Sequence, residues 1–352
     1  MKFKVEKRTI DTLNKCYAIA PMPDNSGFRF LVAAEKKDPC YLYNEQGKRL
    51  ETIWTTPGGV MTMVQVPGQA NQFLATQQFY SPNDSAEAKI VIATRVSENN
   101  WQVRTLAEAP FVHRFGILER RGINYLLVCC LKSGHEYKDD WSQPGKVFFA
   151  ELPEYLSQYN EENQLKLTLL KDEMGHNHGY SEFVDNGIKT AIVACDEGVY
   201  QFTPPDGRGN DWQIRHLYDQ PVSEAVLCDF DGDGVAELGC FSPFHGNHLY
   251  ICKQNAKGEY EEVWSYGKET GMLHASWACT LCGQPAWLVG WRKGERDLIV
   301  VFAENGEYHT ERIDHDRGPA NVMKYVDGYG KEIIVAANRE TDEIAMYAVE
   351  RA

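Results

Sequence analysis

The sequence repeats one pattern at intervals of about fifty residues, and three copies of the pattern begin with a histidine. Five of the seven copies have an opening residue, a glycine nine positions later, and then an apolar run rich in β-branched residues. The pairs of opening residue and glycine are His113 and Gly122, His178 and Gly187, His274 and Gly283, Asn321 and Gly330, and Gly59 and Gly68. A strand, a tight turn and a second strand recurring at this period are typical of a β-propeller.

Seven such units fit the chain, and they begin near Cys16, Gly59, His113, His178, Ser223, His274 and Asn321. Only three strand-like segments follow Asn321, whereas a propeller blade has four strands. The alternating segment FKVEKRTI at the N-terminus is expected to supply the missing outer strand, which would leave no open sheet edge. We therefore predict an all-β fold. It is a seven-bladed β-propeller of four-stranded antiparallel blades, forming one domain over residues 1–352.

Charge and hydropathy exclude several classes of partner. The formal net charge is −14, and an acidic surface repels nucleic acid and anionic lipid. No segment is long and apolar enough to cross a membrane, and the N-terminus lacks the apolar stretch of a signal peptide. These features predict a cytoplasmic protein without a nucleic-acid or membrane partner.

The ten cysteines are scattered through predicted strands and show no disulfide framework. Buried free thiols in a reducing compartment fit this distribution better. Cys279 and Cys282 form a single CxxC motif. This motif is weak support for a metal or redox site, because no second CxxC accompanies it.

The opening histidines are candidate metal ligands. Propeller symmetry brings equivalent positions to a similar radius and height, so His113, His178 and His274 are predicted to meet near the central axis. Imidazoles can coordinate zinc, manganese or another divalent transition metal, with water in the open positions. His176 could add a ligand or a supporting hydrogen bond. The alternative is a polar channel whose histidines bind only water.

An acidic turn in the fifth unit is a second candidate cation site. Asp229, Asp231, Asp233 and Glu237 alternate with glycines in a way that directs several carboxylate oxygens at one point. Such an arrangement suits calcium or magnesium. The ion would be structural, because the turn lies at the opposite end of its strand from the opening residues. The alternative is a hairpin stabilised by Asp and Gly without a metal.

The same unit resembles a known type of propeller repeat. Its segment SEAVLCDFDGDGVAEL is similar to the FG-GAP/VCBS repeat, in which an opening residue is followed by an aspartate-rich turn and a strand. In the other units only VDNG and VDGYG keep an acidic turn. The resemblance implies a seven-bladed propeller and does not by itself specify a function.

The loops predicted on the face of the opening residues are long and polar. Strand direction puts the loops between the second and third strands of each blade on this face, which we call the mouth. These loops carry Gln78, Tyr80, His135, Tyr137, Lys138, Asp139, His245, His248, Arg292 and Arg339. Loops held by a rigid scaffold often carry function, so the mouth is predicted to bind a polar, oxygen-rich ligand. The alternative is that these loops are merely solvated.

The chemistry that fits the mouth best is proton abstraction next to a carbonyl or carboxylate, followed by elimination or isomerisation. The chain has no GxSxG motif and no phosphate-binding glycine loop. His135 or Tyr137 is the predicted base or acid, and Lys138, Arg292 and Arg339 would orient an anionic or keto-sugar substrate. The predicted substrate-binding residues are Gln78, Tyr80, Asp139, His245 and His248.

The repeat, the histidines near the axis and the loop-rich mouth are together similar to the propeller-type sugar dehydratases and lyases. Aldos-2-ulose dehydratase and the polysaccharide lyases on seven-bladed propellers are members of this group. The resemblance implies a carbon–oxygen lyase that acts on a small keto-sugar or uronic acid with the help of a divalent metal. The competing hypothesis is a non-catalytic propeller that binds a carbohydrate or a protein partner.

Overall fold

The computed structural model describes residues 2–24 and 27–352. Within these residues the chain forms seven four-stranded antiparallel sheets, each a simple meander, arranged as the blades of a β-propeller. The predicted fold class is confirmed. In the described ranges no helix is long and apolar enough to span a membrane.

The first strand, β1 (Phe3–Thr12), belongs to the last blade, and the chain then builds the blades in order. Blade 1 contains β2 (Cys16–Pro21), β3 (Arg29–Ala34), β4 (Cys40–Asn44) and β5 (Arg49–Trp54). Blade 2 contains β6 (Met63–Gln65), β7 (Gln72–Gln77), β8 (Lys89–Ser97) and β9 (Asn100–Glu108). Blade 3 contains β10 (Val112–Arg120), β11 (Ile123–Lys132), β12 (Pro144–Leu152) and β13 (Thr168–Met174).

The remaining blades follow the same order. Blade 4 contains β14 (Gly179–Asp185), β15 (Ile188–Cys195), β16 (Gly198–Thr203) and β17 (Gln213–Tyr218). Blade 5 contains β18 (Glu224–Cys228), β19 (Glu237–Ser242), β20 (His248–Gln254) and β21 (Tyr260–Ser265). Blade 6 contains β22 (Gly271–Leu281), β23 (Gln284–Lys293), β24 (Leu298–Glu304) and β25 (Glu307–Asp314). Blade 7 contains β26 (Pro319–Val326), β27 (Glu332–Asn338), β28 (Glu343–Arg351) and β1, with a 3-10 turn at Arg339–Thr341.

The N-terminal strand closes the ring, as the sequence predicted. Strand β1 runs antiparallel to β28, with pairing from Phe3 opposite Arg351 to Thr12 opposite Glu343. Both ends of the described chain are therefore held in one sheet, and β1 completes the last blade as its outermost strand.

The second strands of the blades form much of the core. In β15 the last six residues, TAIVAC, are all buried, whereas the outermost strand of the same blade, β17, has no buried residue. Strands covered by neighbouring sheets on both faces are expected to be continuously apolar, and this is what the repeated apolar runs in the sequence encode. All ten cysteines are free and seven are buried, four of them, Cys129, Cys130, Cys195 and Cys240, in these second strands.

Two of the predicted opening residues are displaced from the positions that the nine-residue spacing gave them. Strand β6 is only three residues long, compared with nine in β10 and eleven in β22, so Gly59 lies before the blade and Met61 lines the axial chamber instead. In blade 7 the residue left out of the strand pairing is Ala320, not Asn321. A fixed spacing cannot follow a strand that changes length.

Candidate functional site

The strands nearest the axis carry the candidate site at their first residues. In β10, β22 and β2 the pairing with the next strand skips one residue, which leaves His113, His274 and Tyr17 outside the ladder. A β-bulge of this kind redirects a side chain. His178 comes directly before the first residue of β14. All four side chains line one small chamber on the axis.

The three opening histidines converge in the structure. The ring centroid of His178 lies 4.4 Å from that of His113 and 5.4 Å from that of His274. A fourth imidazole, from His245 in the loop between β19 and β20, lies 5.1 Å from His178 and 5.7 Å from His274. The three opening histidines are almost fully buried, and His245 is half-buried.

Three of these four rings form a group that could hold a metal ion. One nitrogen each of His178, His245 and His274 lies within 4.8 Å of the others. The structure does not bring His113 into this group, so His245 takes the place predicted for it. The hydroxyl of Tyr17 contacts both outer rings, at 3.1 Å from Nε2 of His274 and 3.5 Å from Nε2 of His113.

Two rings of this group are oriented by acceptors on the protein. Nδ1 of His274 lies 2.7 Å from the carbonyl oxygen of Ala320. Nδ1 of His178 lies 3.3 Å from its hydrogen-bond acceptor, the carbonyl oxygen of Ser223, and 2.9 Å from Oε1 of Glu224. Because a carbonyl oxygen can only accept, His274 donates from Nδ1 and keeps a lone pair on Nε2. Nε2 of His178 is buried and has no hydrogen-bond partner in the described residues. Metal-binding histidines typically have one nitrogen bonded to the protein and the other free, and of the two rings only His178 shows this, because Nε2 of His274 already accepts from the Tyr17 hydroxyl.

Burial keeps three of these imidazoles, His113, His245 and His274, neutral. It lowers the pKa of His113 and of His274 well below the usual value, and that of His245 to about 2. The guanidinium of Arg292 adds to the effect at His274. Burial also raises the pKa of Tyr17 to about 12, so its hydroxyl stays protonated. Since the neutral imidazole is the form that binds a metal, the site is ready to bind without first losing protons.

The chamber enclosed by these rings is small, with a volume of about 40 Å³. Besides the four imidazoles its walls are formed by Tyr17, Glu35, Met61, Phe79, Pro82, Leu131, Phe244 and Arg292. A space of this size holds roughly three water molecules. It accommodates an ion with bound water but not a whole sugar ring. A sugar could therefore present only one edge to the imidazoles.

Arg292 places a fixed positive charge at the wall of the chamber. The residue is only 9% exposed, and its Nε donates to Oε1 of Glu340 at 2.8 Å. Burial alone would raise the pKa of Glu340, but Arg292 and Arg339 together hold this pKa below its usual value. Arg339 is itself occupied by Glu340 and Glu35. The two terminal nitrogens of Arg292 have no partner among the described residues, so they are available to an anionic group.

A second buried ion pair supports His178. Oε1 of Glu224, the first residue of β18, lies 2.9 Å from Nδ1 of His178 and 3.5 Å from Nη2 of Arg114. Arg114 also donates from Nη1 to the carbonyl oxygen of Met61 at 2.9 Å. These contacts join four consecutive blades around the His178 ring and fix its orientation.

A run of stacked rings borders the site on the side of blades 3 to 5. Ring centroids are 4.1 Å apart for Trp141 and His176, 4.5 Å for His176 and Phe244, and 4.0 Å for Phe244 and His245. Nδ1 of His176 lies 2.5 Å from Oδ2 of Asp196. His176, predicted as a ligand or a supporting residue, is thus outside the ligand group and packs against the loop that carries His245.

The long loop between β11 and β12 does not bring its predicted catalytic residues to the chamber. His135 is half-buried, and its ring packs edge-on against that of Phe111 at a centroid distance of 5.6 Å. Tyr137 and Lys138 are exposed to solvent. Among the described residues, none of these three lines the chamber. Their catalytic roles stay predictions that require this loop to approach the axis.

Of the five predicted substrate-binding residues, only His245 lines the chamber as the described residues define it. His248 turns outward, where its Nε2 lies 2.9 Å from a glutamate oxygen of the outermost strand β21. Asp139 is exposed, and Gln78 and Tyr80 are half-buried in the loop between β7 and β8. These four residues border the mouth at a distance from the imidazoles.

Sequence reasoning missed three buried polar residues of the site, which are Tyr17, Arg114 and Glu224. The prediction considered only histidines at the openings of the units, and it placed each opening by a fixed spacing to the next glycine. Aligning the first strands on their bulge would have placed Tyr17 with His113 and His274. No sequence signal identifies Arg114 and Glu224, because their roles depend on contacts between blades.

The predicted acidic turn lies between β18 and β19, at the other end of the first strands. Carboxylate oxygens of Asp229, Asp231, Asp233 and Glu237 lie within 4.8 Å of one another. The ammonium group of Lys253 already lies among them, at 2.8 Å from Oδ2 of Asp233 and 3.3 Å from Oε1 of Glu237. As arranged, these residues do not fit a calcium or magnesium ion.

Comparison with known proteins supports the fold alone. No protein-family model matches the sequence, and no curated protein matches it. A solved structure described as streptogramin B lyase superposes with a TM-score of 0.60 at 12% identity, over 99% of this chain and 98% of that one. The WD40 β-propeller domain of Doa1 gives 0.58 at 10% identity over 99% and 98%, and the Dos1 propeller gives 0.56 at 6% over 97% and 94%. The chain is thus similar to complete propellers and has the fold of a seven-bladed β-propeller.

Proposed function

We propose that this protein is a metal-dependent enzyme that acts on a small keto-sugar or uronic acid. It would be a carbon–oxygen lyase of the dehydratase type, or an isomerase. The observation that carries the proposal is the group formed by His178, His245 and His274, with nitrogens within 4.8 Å of one another, beside the unpaired edge of Arg292. Neutral buried imidazoles next to a guanidinium suit a substrate that has a carbonyl or carboxylate group.

The three histidines of the group would hold a zinc or manganese ion. When bound, such an ion polarises a carbonyl or carboxylate oxygen and so acidifies the neighbouring C–H bond. The terminal nitrogens of Arg292 would bind the same oxygen-bearing group and orient it. Glu224 and the carbonyl oxygen of Ala320 keep the ring planes of His178 and His274 fixed during this step.

Proton transfer would fall to groups beside the histidine group. His113 is the nearest further imidazole and would take the proton from the carbon next to the carbonyl. Because burial lowers its pKa well below the usual value, it is a weak base, and this role requires a C–H bond that the bound carbonyl group has strongly acidified. The electron pair of that C–H bond becomes a carbon–carbon double bond, and the C–O bond to the leaving oxygen breaks. Tyr17 is protonated and can give the leaving oxygen a proton. His135 or Tyr137 would share these roles if the long loop closes over a substrate.

The likeness to a solved lyase agrees with this proposal without deciding it. The structure described as streptogramin B lyase superposes over nearly the whole of both chains, and its description names a lyase. At 12% identity the likeness transfers no residue roles.

A second candidate function is binding without catalysis, of a carbohydrate or of a protein partner. The small chamber favours it, since about 40 Å³ leaves room for an ion and water but not for a bound sugar ring. Under this hypothesis the histidines and a metal would organise the mouth, and the ligand would rest on the loops.

Activity assays on reconstituted protein test the proposal. The protein, purified without a histidine tag, would be loaded with zinc or manganese and incubated with uronic acids and keto-sugars. Elimination would appear as ultraviolet absorbance of the new conjugated double bond. We expect His178→Ala to lose activity at least about a hundred-fold, because it removes a ligand and its support from Glu224.

His309→Gln is the matched control, because His309 lies on the outer strand β25 and packs against Phe302 far from the chamber lining. It should retain full activity. Full metal content and turnover in His178→Ala would overturn the proposal. If the wild-type protein binds one of these uronic acids or keto-sugars but converts none of them, the result would favour the non-catalytic alternative.

A further inference from the structure

The acidic turn between β18 and β19 has the composition of a calcium loop but already contains a cation of its own. Asp229, Asp231, Asp233 and Glu237 come from the turn, and Lys253 reaches them from the neighbouring strand β20. The Lys253 side chain is 28% exposed and that of Glu237 is fully buried. An ion in this turn would need the same space.

The backbone of the turn uses one set of carboxylate oxygens. Both oxygens of Asp229 accept from backbone N–H groups, of Gly232 at 2.8 Å and Gly234 at 3.0 Å. Oδ1 of Asp231 accepts from the N–H of Asp233 at 3.2 Å. These bonds fix the turn and leave only the outer oxygens of the later carboxylates unused.

Asp233 and Glu237 also each use one carboxylate oxygen to accept from a backbone N–H group. Oδ1 of Asp233 accepts from the N–H of Val235 at 2.8 Å, and Oε2 of Glu237 accepts from the N–H of Phe230 at 2.5 Å. Oδ2 of Asp231, Oδ2 of Asp233 and Oε1 of Glu237 are the oxygens left over, and all three point at Nζ of Lys253.

The ammonium group lies within ion-pair distance of all three oxygens and donates hydrogen bonds to those of Asp231 and Asp233. Lysine has three donors and no acceptor, and here it contacts Asp231 closely, Asp233 at 2.8 Å and Glu237 at 3.3 Å. A calcium ion needs six to eight oxygen ligands at about 2.3–2.6 Å, and it would have to take these same oxygens. A divalent ion and an ammonium group cannot share them, because their charges repel at this separation.

We infer that Lys253 is the resident cation of this turn, so that the protein holds its acidic loop without calcium or magnesium. The turn keeps the aspartate spacing of a metal-binding loop, and the lysine replaces the metal. Removing the lysine should expose three unpaired carboxylates and thereby create a site for calcium.

Thermal unfolding of wild type and Lys253→Met, with excess calcium or with a chelator, tests this inference. We expect the midpoint of wild type to be the same in both conditions. In the chelator, Lys253→Met should unfold several degrees lower, because like charges are then left close together. Calcium should restore much of this loss. Lys257→Met, in the exposed turn before β21, is the matched control and should behave as wild type.

Calcium calorimetry at a fixed pH gives a second readout that does not depend on stability. Wild type should show no binding to this turn, and Lys253→Met should bind one ion that Asp233→Asn then abolishes. Stabilisation of wild type by calcium, or a Lys253→Met variant that neither loses stability nor binds calcium, would overturn the inference. If Lys253→Met does not fold, Lys253→Gln and the wild-type titration still decide between the outcomes.

Discussion

Two clusters of side chains that could hold a metal ion lie at opposite ends of the innermost strands, and they differ in what their donor atoms contact. At the mouth, Nε2 of His178 is buried without a partner among the described residues. At the opposite end, the outer oxygens of Asp231, Asp233 and Glu237 meet the ammonium group of Lys253. The cluster with the more familiar metal motif is the one already occupied by a protein cation.

The difference follows from charge. Carboxylates gathered in a turn repel one another, so the fold must supply a cation, and a lysine from the next strand suffices. Imidazoles become neutral when buried and can remain close together with nothing between them. Whether the remaining donor atoms already contact a protein cation therefore distinguishes the two clusters better than their residue types do.

The largest effect within the mouth cluster, short of removing a ligand, should come from Glu224→Gln. The Glu224 carboxylate lies 2.9 Å from Nδ1 of His178, on the side of the ring away from the group, where charged neighbours generally support metal ligands. We expect zinc or manganese affinity to fall about 10- to 100-fold. The measurement is a competition titration against a chromogenic chelator.

Glu259→Gln is the matched control, because Glu259 lies in the exposed hairpin turn before β21. Its metal affinity should equal that of wild type. The free energy of unfolding of the metal-free variants shows whether a loss of metal affinity comes from a changed orientation of His178 or from a less stable fold. Unchanged metal affinity in Glu224→Gln would mean that the rings at the mouth do not act as ligands. Neither cluster would then be a metal site.

A smaller effect is expected on stability at mildly acidic pH. His113 and His274 have a pKa well below the usual value, and that of His245 is about 2. Below about pH 6.5 the unfolded chain binds protons at these positions and the folded chain does not. The free energy of unfolding of the metal-free protein should therefore decrease as the pH falls, by up to about 1.4 kcal/mol per pH unit for each such histidine.

Urea unfolding between pH 7.5 and 5 with chelator measures this dependence. His113→Gln removes one buried imidazole, and its unfolding free energy should depend less steeply on pH than that of wild type. His309→Gln, on the outer strand, should leave the slope unchanged. An identical slope in wild type and His113→Gln would show that His113 is protonated in the folded state.

The fold could be predicted almost entirely from the sequence. The repeat period gave the number of blades, and the alternating segment at the N-terminus gave the closing strand that pairs with β28. Both signals are local, because each blade is a meander of consecutive strands. The positions of Gly59 and Asn321 were wrong by two residues or fewer, since strand lengths vary between blades without altering the fold.

The site could be predicted only in part. Convergence of His113, His178 and His274 follows from the repeat, and it is observed. The choice of His245 over His113 as the third member of the group does not follow, because it depends on the course of an irregular loop. The occupation of the acidic turn by Lys253 depends on strand register, which a motif search ignores.

Elemental analysis of untagged protein tests the central claim most directly, with His245→Ala and His309→Gln measured beside the wild type. The account predicts about one equivalent of zinc, manganese or another transition metal in wild type and in His309→Gln, and its loss in His245→Ala. No calcium should copurify. Wild-type protein that binds no transition metal when one is supplied, or a His245→Ala variant that keeps a full equivalent, would contradict the account.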